Sequence, residues 1–227
     1  MKTRFAILAS GEGTTAEAFI RACAAEQVDA EVVLIICNKK SAGIFERVKR
    51  LNDELGLTVE AQLINSKTHP ARPDEATVPG GQTEAEEAAI LSALESHAID
   101  MVLLAGYLRK IGPQLVAAYG WQPGSPSPFA ARMLNTHPGL LPETKGLWGV
   151  HVQEHVVEQG LPFAGQTLHA VAENYDEGPI IAEHQLPVEP GETAEELFER
   201  VKVLEKQSLP ADVQAFLTAR SRYLQMA

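Results

Sequence analysis

The run RFAILASGEGTTAEAF, residues 4–19, decides the fold: an apolar strand pattern stops at two closely spaced glycines and a helix pattern follows at once. The same alternation recurs along the chain. EVVLIIC at 31–37 is a β-branched run of buried-strand type, and the spacing of Ile44, Phe45, Val48, Leu51 and Leu55 predicts a helix over 44–55. Further strands are expected at 59–64, 100–104, 132–135, 166–172 and 179–188. Further helices are expected at about 83–97, 113–118 and 149–159. A closing helical region at 193–217 opens with a Thr193-x-x-Glu196 capping box and is interrupted by Pro210. Strands alternating with helices imply right-handed crossovers, hence an α/β fold with a Rossmann-like, mostly parallel sheet and helices on both faces. The expectation is one domain spanning 1–227.

Composition narrows the class. A hydrophobic fraction of 45% and a charged fraction of 22% are ordinary for a globular chain. The formal net charge of -11 argues against sequence-independent nucleic-acid binding, which needs basic surface. No run reaches the length of about 18–20 apolar residues that a membrane helix requires. The N-terminus reads as a polar start and a strand rather than a signal peptide, so a cytoplasmic chain with no membrane partner is expected. Cys23 and Cys37 fall within a helix pattern and a strand pattern, as buried small hydrophobes do.

Two segments carry chemistry. The glycine loop Gly11-Glu12-Gly13-Thr14-Thr15 lies between strand and helix, where backbone N–H groups can approach an anion. Gly11-x-Gly13-x-x-Ala16 also fits the dinucleotide fingerprint, which expects an acid after the second strand. Cys37-Asn38-Lys39-Lys40 stands there instead, disfavouring NAD and leaving a weak opening for NADP. Asn135, His137 and the later Asp176 combine an amide donor, a proton carrier and an anion to orient that carrier. This is a set for acyl chemistry on an amine, with no Ser or Cys nucleophile and no metal implied. A tetrahedral oxyanion needs fixed donors, and imidazole suits proton movement near neutrality. Asp176 beside His137 would favour the charged ring.

Four stretches in order carry a family resemblance: LASGEGTT (8–15), LAGYLRKI (104–111), NTHPGLLP (135–142) and VAENYDEGPII (171–181). Together they resemble the folate-dependent formyltransferase family, most closely its branch acting on glycinamide ribonucleotide in purine synthesis, from about residue 3 to about residue 217. The resemblance implies 10-formyltetrahydrofolate as co-substrate and glycinamide ribonucleotide as acceptor, in a monomer or homodimer. It makes Asn135, His137 and Asp176 catalytic, and gives the acceptor's phosphate to Gly11, Glu12, Gly13, Thr14 and Thr15. Leu108, Arg109, Lys110 and Ile111 would form one wall of the folate pocket, and Val171, Ala172, Glu173, Asn174 and Tyr175 the other. Lys202 and Glu205 match positions that contact the ribonucleotide's ribose and amine; read alone, they are an i, i+3 ion pair.

The chain departs from that pattern in places. Thr14-Thr15 replaces the usual Ser-Asn, and Trp148 replaces a residue that is polar in many members. A phosphate-contacting arginine is expected near 65–82, where Lys67 and Arg72 are available. The Pro-, Gly- and Ser-rich loops 65–82 and 120–131 are long and either reshape a substrate mouth or ornament the surface. Rival readings are an N-formyltransferase for an amino sugar or hydroxyornithine-type amine, and a dinucleotide-dependent oxidoreductase. His151-x-x-Glu154-His155 matches a zinc-peptidase pattern but lacks an evident third ligand; two histidines on an amphipathic helix are expected.

Overall fold

Seven strands form one sheet in the order β3-β2-β1-β4-β5-β6-β7 in the computed structural model, which describes residues 2–226. The strands are β1 (Thr3–Ala9), β2 (Ala30–Cys37), β3 (Glu60–Leu63), β4 (Met101–Ala105), β5 (Met133–His137), β6 (Phe163–Ala170) and β7 (Ile180–Pro187). The first five run parallel, β6 runs antiparallel to them, and β7 is antiparallel to β6 and so runs in the direction of the first five. The helices are α1 (Thr14–Ala24), α2 (Ile44–Leu55), α3 (Glu84–Ser96), α4 (Pro113–Tyr119), α5 (His151–Glu158) and α6 (Ala194–Met226). None of these helices is long and apolar enough to cross a membrane.

The pleat sorts the buried side chains into two cores. Phe5 and Ile7 of β1, with Met101 and Leu103 of β4, pack under Phe19 and Ile20 of α1, Val48 and Leu51 of α2, and Leu209, Val213 and Phe216 of α6. Ala6 and Leu8, with Val102 and Leu104, face the other way onto Ile90 and Leu94 of α3 and Leu115 and Val116 of α4. A smaller cluster joins Val156 of α5, Ala164 of β6, and Leu197 and Val201 of α6. Cys23 and Cys37 are buried in the first core as free thiols.

The closing helix differs from the sequence expectation. It is one helix of 33 residues and continues through Pro210. Proline in a helix interior costs about 3 kcal/mol through its missing N–H and its ring. Leu209 and Val213 on either side are fully buried and hold the helix against the sheet.

Chain order also fixes where a ligand can sit. β1 is flanked by β2 on one side and β4 on the other, so the connections diverge at the carboxyl ends of β1 and β4. That crevice is where open α/β sheets bind ligands. Ser10 closes its floor, its N–H donating to Gly106 O at 3.1 Å and its Oγ accepting from Leu108 N at 2.8 Å.

Phe216 anchors α6 to the first core and packs against Phe129 with ring centroids 5.6 Å apart. Phe216→Ala should therefore cost about 3–5 kcal/mol, read as a lower midpoint in chemical denaturation with an unchanged slope.

Candidate active site

Antiparallel pairing of β5 with β6 builds the site. In that register Asn135 faces His169 and His137 faces Thr167. The pleat turns Asn135 and His137 to one side of the sheet and Thr136 to the other. Asn135 Nδ2 lies 3.0 Å from His169 Nε2. His169 Nδ1 lies 3.0 Å from the carbonyl of Ala170, which can only accept, so Nδ1 carries a proton. In the neutral ring Nε2 then accepts from the Asn135 amide. That contact fixes which end of the amide is nitrogen and leaves Asn135 one N–H and its oxygen for a ligand.

His137 is oriented by the loop after β5. The Thr144 hydroxyl donates to Leu140 O at 2.9 Å, so it accepts from His137 Nε2 at 2.9 Å. The other nitrogen, Nδ1, faces Asp176 Oδ2 at 3.8 Å. Nδ1 is therefore the atom free to gain and lose a proton. Asp176 sits at φ 54, a left-handed conformation that Asp tolerates better than most residues. Its Oδ2 accepts from Gly146 N at 2.9 Å, and Oδ1 stands 3.4 Å from His169 Nε2.

Burial pushes the His137 pKa below its ordinary value; Asp176 opposes that and His169 adds to it. The charged imidazolium expected from the sequence is therefore not the favoured resting form, because desolvation outweighs the carboxylate. For Asp176, burial acts to raise the pKa, but the neighbouring His137 and the Gly146 N–H prevail and hold it below the usual range. The pair thus joins an imidazole biased toward neutrality and a firmly ionised carboxylate.

Next to this cluster lies a pocket lined by Leu104, Tyr107 and residues 109–111 on one side and residues 171–176 on the other, with Asn135 and His169 at its base. Leu108, expected on this wall, stands outside it: its N–H is held by Ser10 and its side chain is exposed. Both long loops brace these walls. Gly81 bridges to Lys110, and Gln82 bonds Tyr107 and Gly112 through its side chain. Trp121 N donates to Val171 O at 2.7 Å. Arg109 pairs with the fully buried Glu86 at 2.6 Å and also borders a groove lined by Lys39, Lys40 and Lys67. Arg72 instead pairs with Glu84 on the surface.

The glycine loop stands at the neighbouring strand end. Gly13 adopts φ 72, and α1 begins behind it without a side-chain cap, so its first-turn N–H groups lack the usual partner. The Glu12 carboxylate is turned toward Gly43, where a Cβ would lie 2.2 Å from Oε2, so only the Glu12 backbone is presented to an anion. Thr14 is exposed, whereas the Thr15 hydroxyl donates to Glu205 at 2.7 Å. Lys202 and Glu205 do not pair with each other. Lys202 pairs with Glu199 and lies over Phe198, and the two oxygens of buried Glu205 lie within hydrogen-bond distance of the Thr15 and Thr136 hydroxyls. Trp148 is exposed and packs edge-on against His151, itself bonded to Glu154.

Sequence reasoning missed His169 and Thr144. His169 left a signal: Gln166, Thr167 and His169 are polar residues in a strand that is buried almost throughout, and buried polar groups ask for partners. Thr144 left none, since it is an ordinary loop threonine until the chain folds back.

Asp176→Asn removes the one nearby charge that favours protonation of His137. The His137 pKa should fall further, so that the ring stays neutral to lower pH, as read by NMR titration; an unchanged titration would refute the coupling.

Comparison with known proteins identifies the family and the fold. The sequence model of the family described as "Formyl transferase" matches residues 3–213. The phosphoribosylglycinamide formyltransferase of Bacillus subtilis is 29% identical over 96% of this chain and 97% of its own length. The chloroplastic phosphoribosylglycinamide formyltransferase of Arabidopsis thaliana is 33% identical over 88% of this chain and 60% of its own. Among solved structures, phosphoribosylglycinamide formyltransferase from Bacillus halodurans superposes with a TM-score of 0.77 at 35% identity, covering 95% of each chain. The Brucella melitensis structure of the same name gives 0.75 at 34% identity, covering 95% of this chain and 96% of that one. With the family matched over nearly the whole sheet and both site-bearing loops, the chain belongs to the formyl transferase family.

Proposed function

We propose that this protein transfers the formyl group of 10-formyltetrahydrofolate to the amine of glycinamide ribonucleotide, as a single domain acting in the cytoplasm in purine synthesis. One observation carries the reading. The Asn135, His137 and Asp176 cluster lies at the same end of the sheet as an uncapped helix start suited to a phosphate and a pocket suited to a flat heterocycle. Relatives that match this chain end to end, named phosphoribosylglycinamide formyltransferase, support the choice of acceptor.

The chemistry follows from the geometry. The acceptor amine attacks the formyl carbon, and negative charge develops on the formyl oxygen. The free N–H of Asn135 donates to that oxygen; such a donor typically contributes about 10²–10³ in rate. Nδ1 of His137 takes a proton from the attacking amine and returns it to the departing folate nitrogen. Burial keeps the ring neutral and ready to accept, and Asp176 stabilises the imidazolium while it exists. His169 holds the Asn135 amide and Thr144 holds the His137 ring. No metal enters the scheme.

The other assignments place the two substrates. First-turn N–H groups of α1 and the backbone of residues 11–15 bind the acceptor phosphate, with Lys202 as a nearby cation. Arg109, Lys110 and Ile111 face residues 171–175 across the folate. The Arg109–Glu86 pair fixes the guanidinium at the pocket mouth.

His137→Ala should lower kcat by about 10²–10⁴ while leaving folate affinity largely intact; retention of more than about a tenth of the turnover would remove His137 from the proton path. At Gly13 a Cβ would meet Ile44 Cδ1 at 2.1 Å in a backbone conformation that disfavours side chains. Gly13→Val should therefore raise KM for glycinamide ribonucleotide far more than KM for the folate, and inorganic phosphate should compete with the ribonucleotide alone. Assay against a panel of amines tests the acceptor. Turnover of an amino sugar or hydroxyornithine-type amine in its place, or tight dinucleotide binding without ribonucleotide binding, would overturn the assignment.

A further inference from the structure

Glu205 is a carboxyl group in a position built for a hydrocarbon. Leu197, Val201, Glu205, Leu209 and Val213 follow one another at four-residue intervals along the buried seam of α6. Its two oxygens reach two elements that carry the site. Oε2 lies 2.7 Å from the Thr15 hydroxyl in the first turn of α1, and Oε1 lies 2.7 Å from the Thr136 hydroxyl of β5. Thr136 stands between Asn135 and His137 and points to the opposite side of the sheet.

Counting protons around Thr136 identifies the state of the acid. Gln166 Oε1 lies 3.3 Å from the Thr136 hydroxyl, on top of the Glu205 contact. The Gln166 amide cannot be turned round. Its Nε2 lies 3.0 Å from Ser208 Oγ, whose own proton goes to Leu204 O, and 3.3 Å from Asp212 Oδ2, so it must donate to both. The Thr136 hydroxyl has a single proton and faces two oxygens that could only accept if Glu205 were ionised. A proton on Oε1 resolves this: Glu205 donates to Thr136, Thr136 donates to Gln166, and Thr15 donates to Oε2. Each of the three hydrogen bonds then has one donor and one acceptor.

We propose that Glu205 is held as a neutral carboxylic acid and acts as a positioning residue, locking the glycine loop of α1 to the strand that presents Asn135 and His137. Burial pushes the Glu205 pKa up from its ordinary 4.5, against the opposing effects of Thr136, Thr15, Lys206 and Lys202. The charged groups facing the network are Lys202 and Lys206 on α6 and, beyond Gln166, the Asp212–His184 pair joining α6 to β7. On α1, Glu17 and Arg21 are engaged with Arg47, Arg50 and Glu54 instead. The positioning role rests on the reading of the glycine loop as the phosphate site, whereas the protonation state does not.

The test compares wild type with Glu205→Gln and Glu205→Ala without substrate. Glutamine has the same shape and the same donor–acceptor arrangement as the neutral acid, so its Tm should match or exceed that of wild type at neutral pH. Alanine removes a partner from the Thr15 and Thr136 hydroxyls and opens a cavity in the seam, and its Tm should fall by about 4–8 °C. A folded pKa above the unfolded one stabilises wild type below the unfolded value, and that contribution is lost as pH rises through the folded value. The Tm of Glu205→Gln relative to wild type should therefore climb with pH from 4.5 upward. Infrared difference spectra at neutral pH should show a protonated-carboxyl stretch that the glutamine variant lacks. A flat or falling Tm difference, or no such band, would overturn the neutral acid. With the band present, Glu205→Gln should keep kcat and both KM values near wild type, whereas Glu205→Ala should raise KM for glycinamide ribonucleotide and lower kcat while sparing KM for the folate; equal effects of alanine on both substrates, or a ribonucleotide KM raised as much by glutamine as by alanine, would refute the positioning role. Failure of the ribonucleotide to react at all would count against the proposed function and leave the infrared result standing.

Discussion

The pleat of β5 is the constraint on which the rest depends. Because side chains alternate across a strand, Asn135 and His137 share one side while Thr136 must take the other. The first side meets His169, Asp176 and the pocket; the second meets Glu205 and α6. A shift of one residue in register would exchange these sets and place the imidazole against the helix. The antiparallel partner β6, fully buried after its first residue, holds that register.

Around that strand, polar groups are buried in numbers a hydrocarbon core would not tolerate, and nearly all of them find partners. His137, His169, Thr136, Gln166, Thr167 and Glu205 are all buried, and each carries a hydrogen bond. An unpaired group there would cost about 1–3 kcal/mol, so the network specifies one arrangement. Among the described residues, the buried side-chain atoms without a partner include Arg109 Nε and Glu86 Oε1. Both belong to the ion pair behind the pocket wall; Asn38 Oδ1, Trp121 Nε1 and Gln153 Oε1 are in the same condition elsewhere.

The legibility of the chain varies with the range of the interactions involved. Helix α2 begins and ends where its apolar spacing places it, and Thr83 with Glu86 forms a capping box at the start of α3. The same Glu86 also holds Arg109, 23 residues away, and nothing in the local pattern announces that second task. The loops 65–82 and 120–131 could not be read as ornament or wall until Gln82 was found against Tyr107 and Trp121 against Val171. Pro210 marked a break that does not occur, since packing of the seam on either side outweighs the local penalty.

The sequence by itself determined the strand and helix alternation, the parallel core and the glycine turn before α1, and it singled out Asn135, His137 and Asp176 as candidates, which the fold brings together. Each of these is set by spacing or by side-chain chemistry within a few residues. Only the tertiary structure decided that His169 fixes the Asn135 amide, that burial outweighs Asp176 at the His137 ring, and that Glu205 faces two hydroxyls rather than Lys202. The reason is physical: desolvation and proton sharing depend on what surrounds a group from every side. For these residues the surroundings come from strands and helices 30 to 190 positions away in the chain.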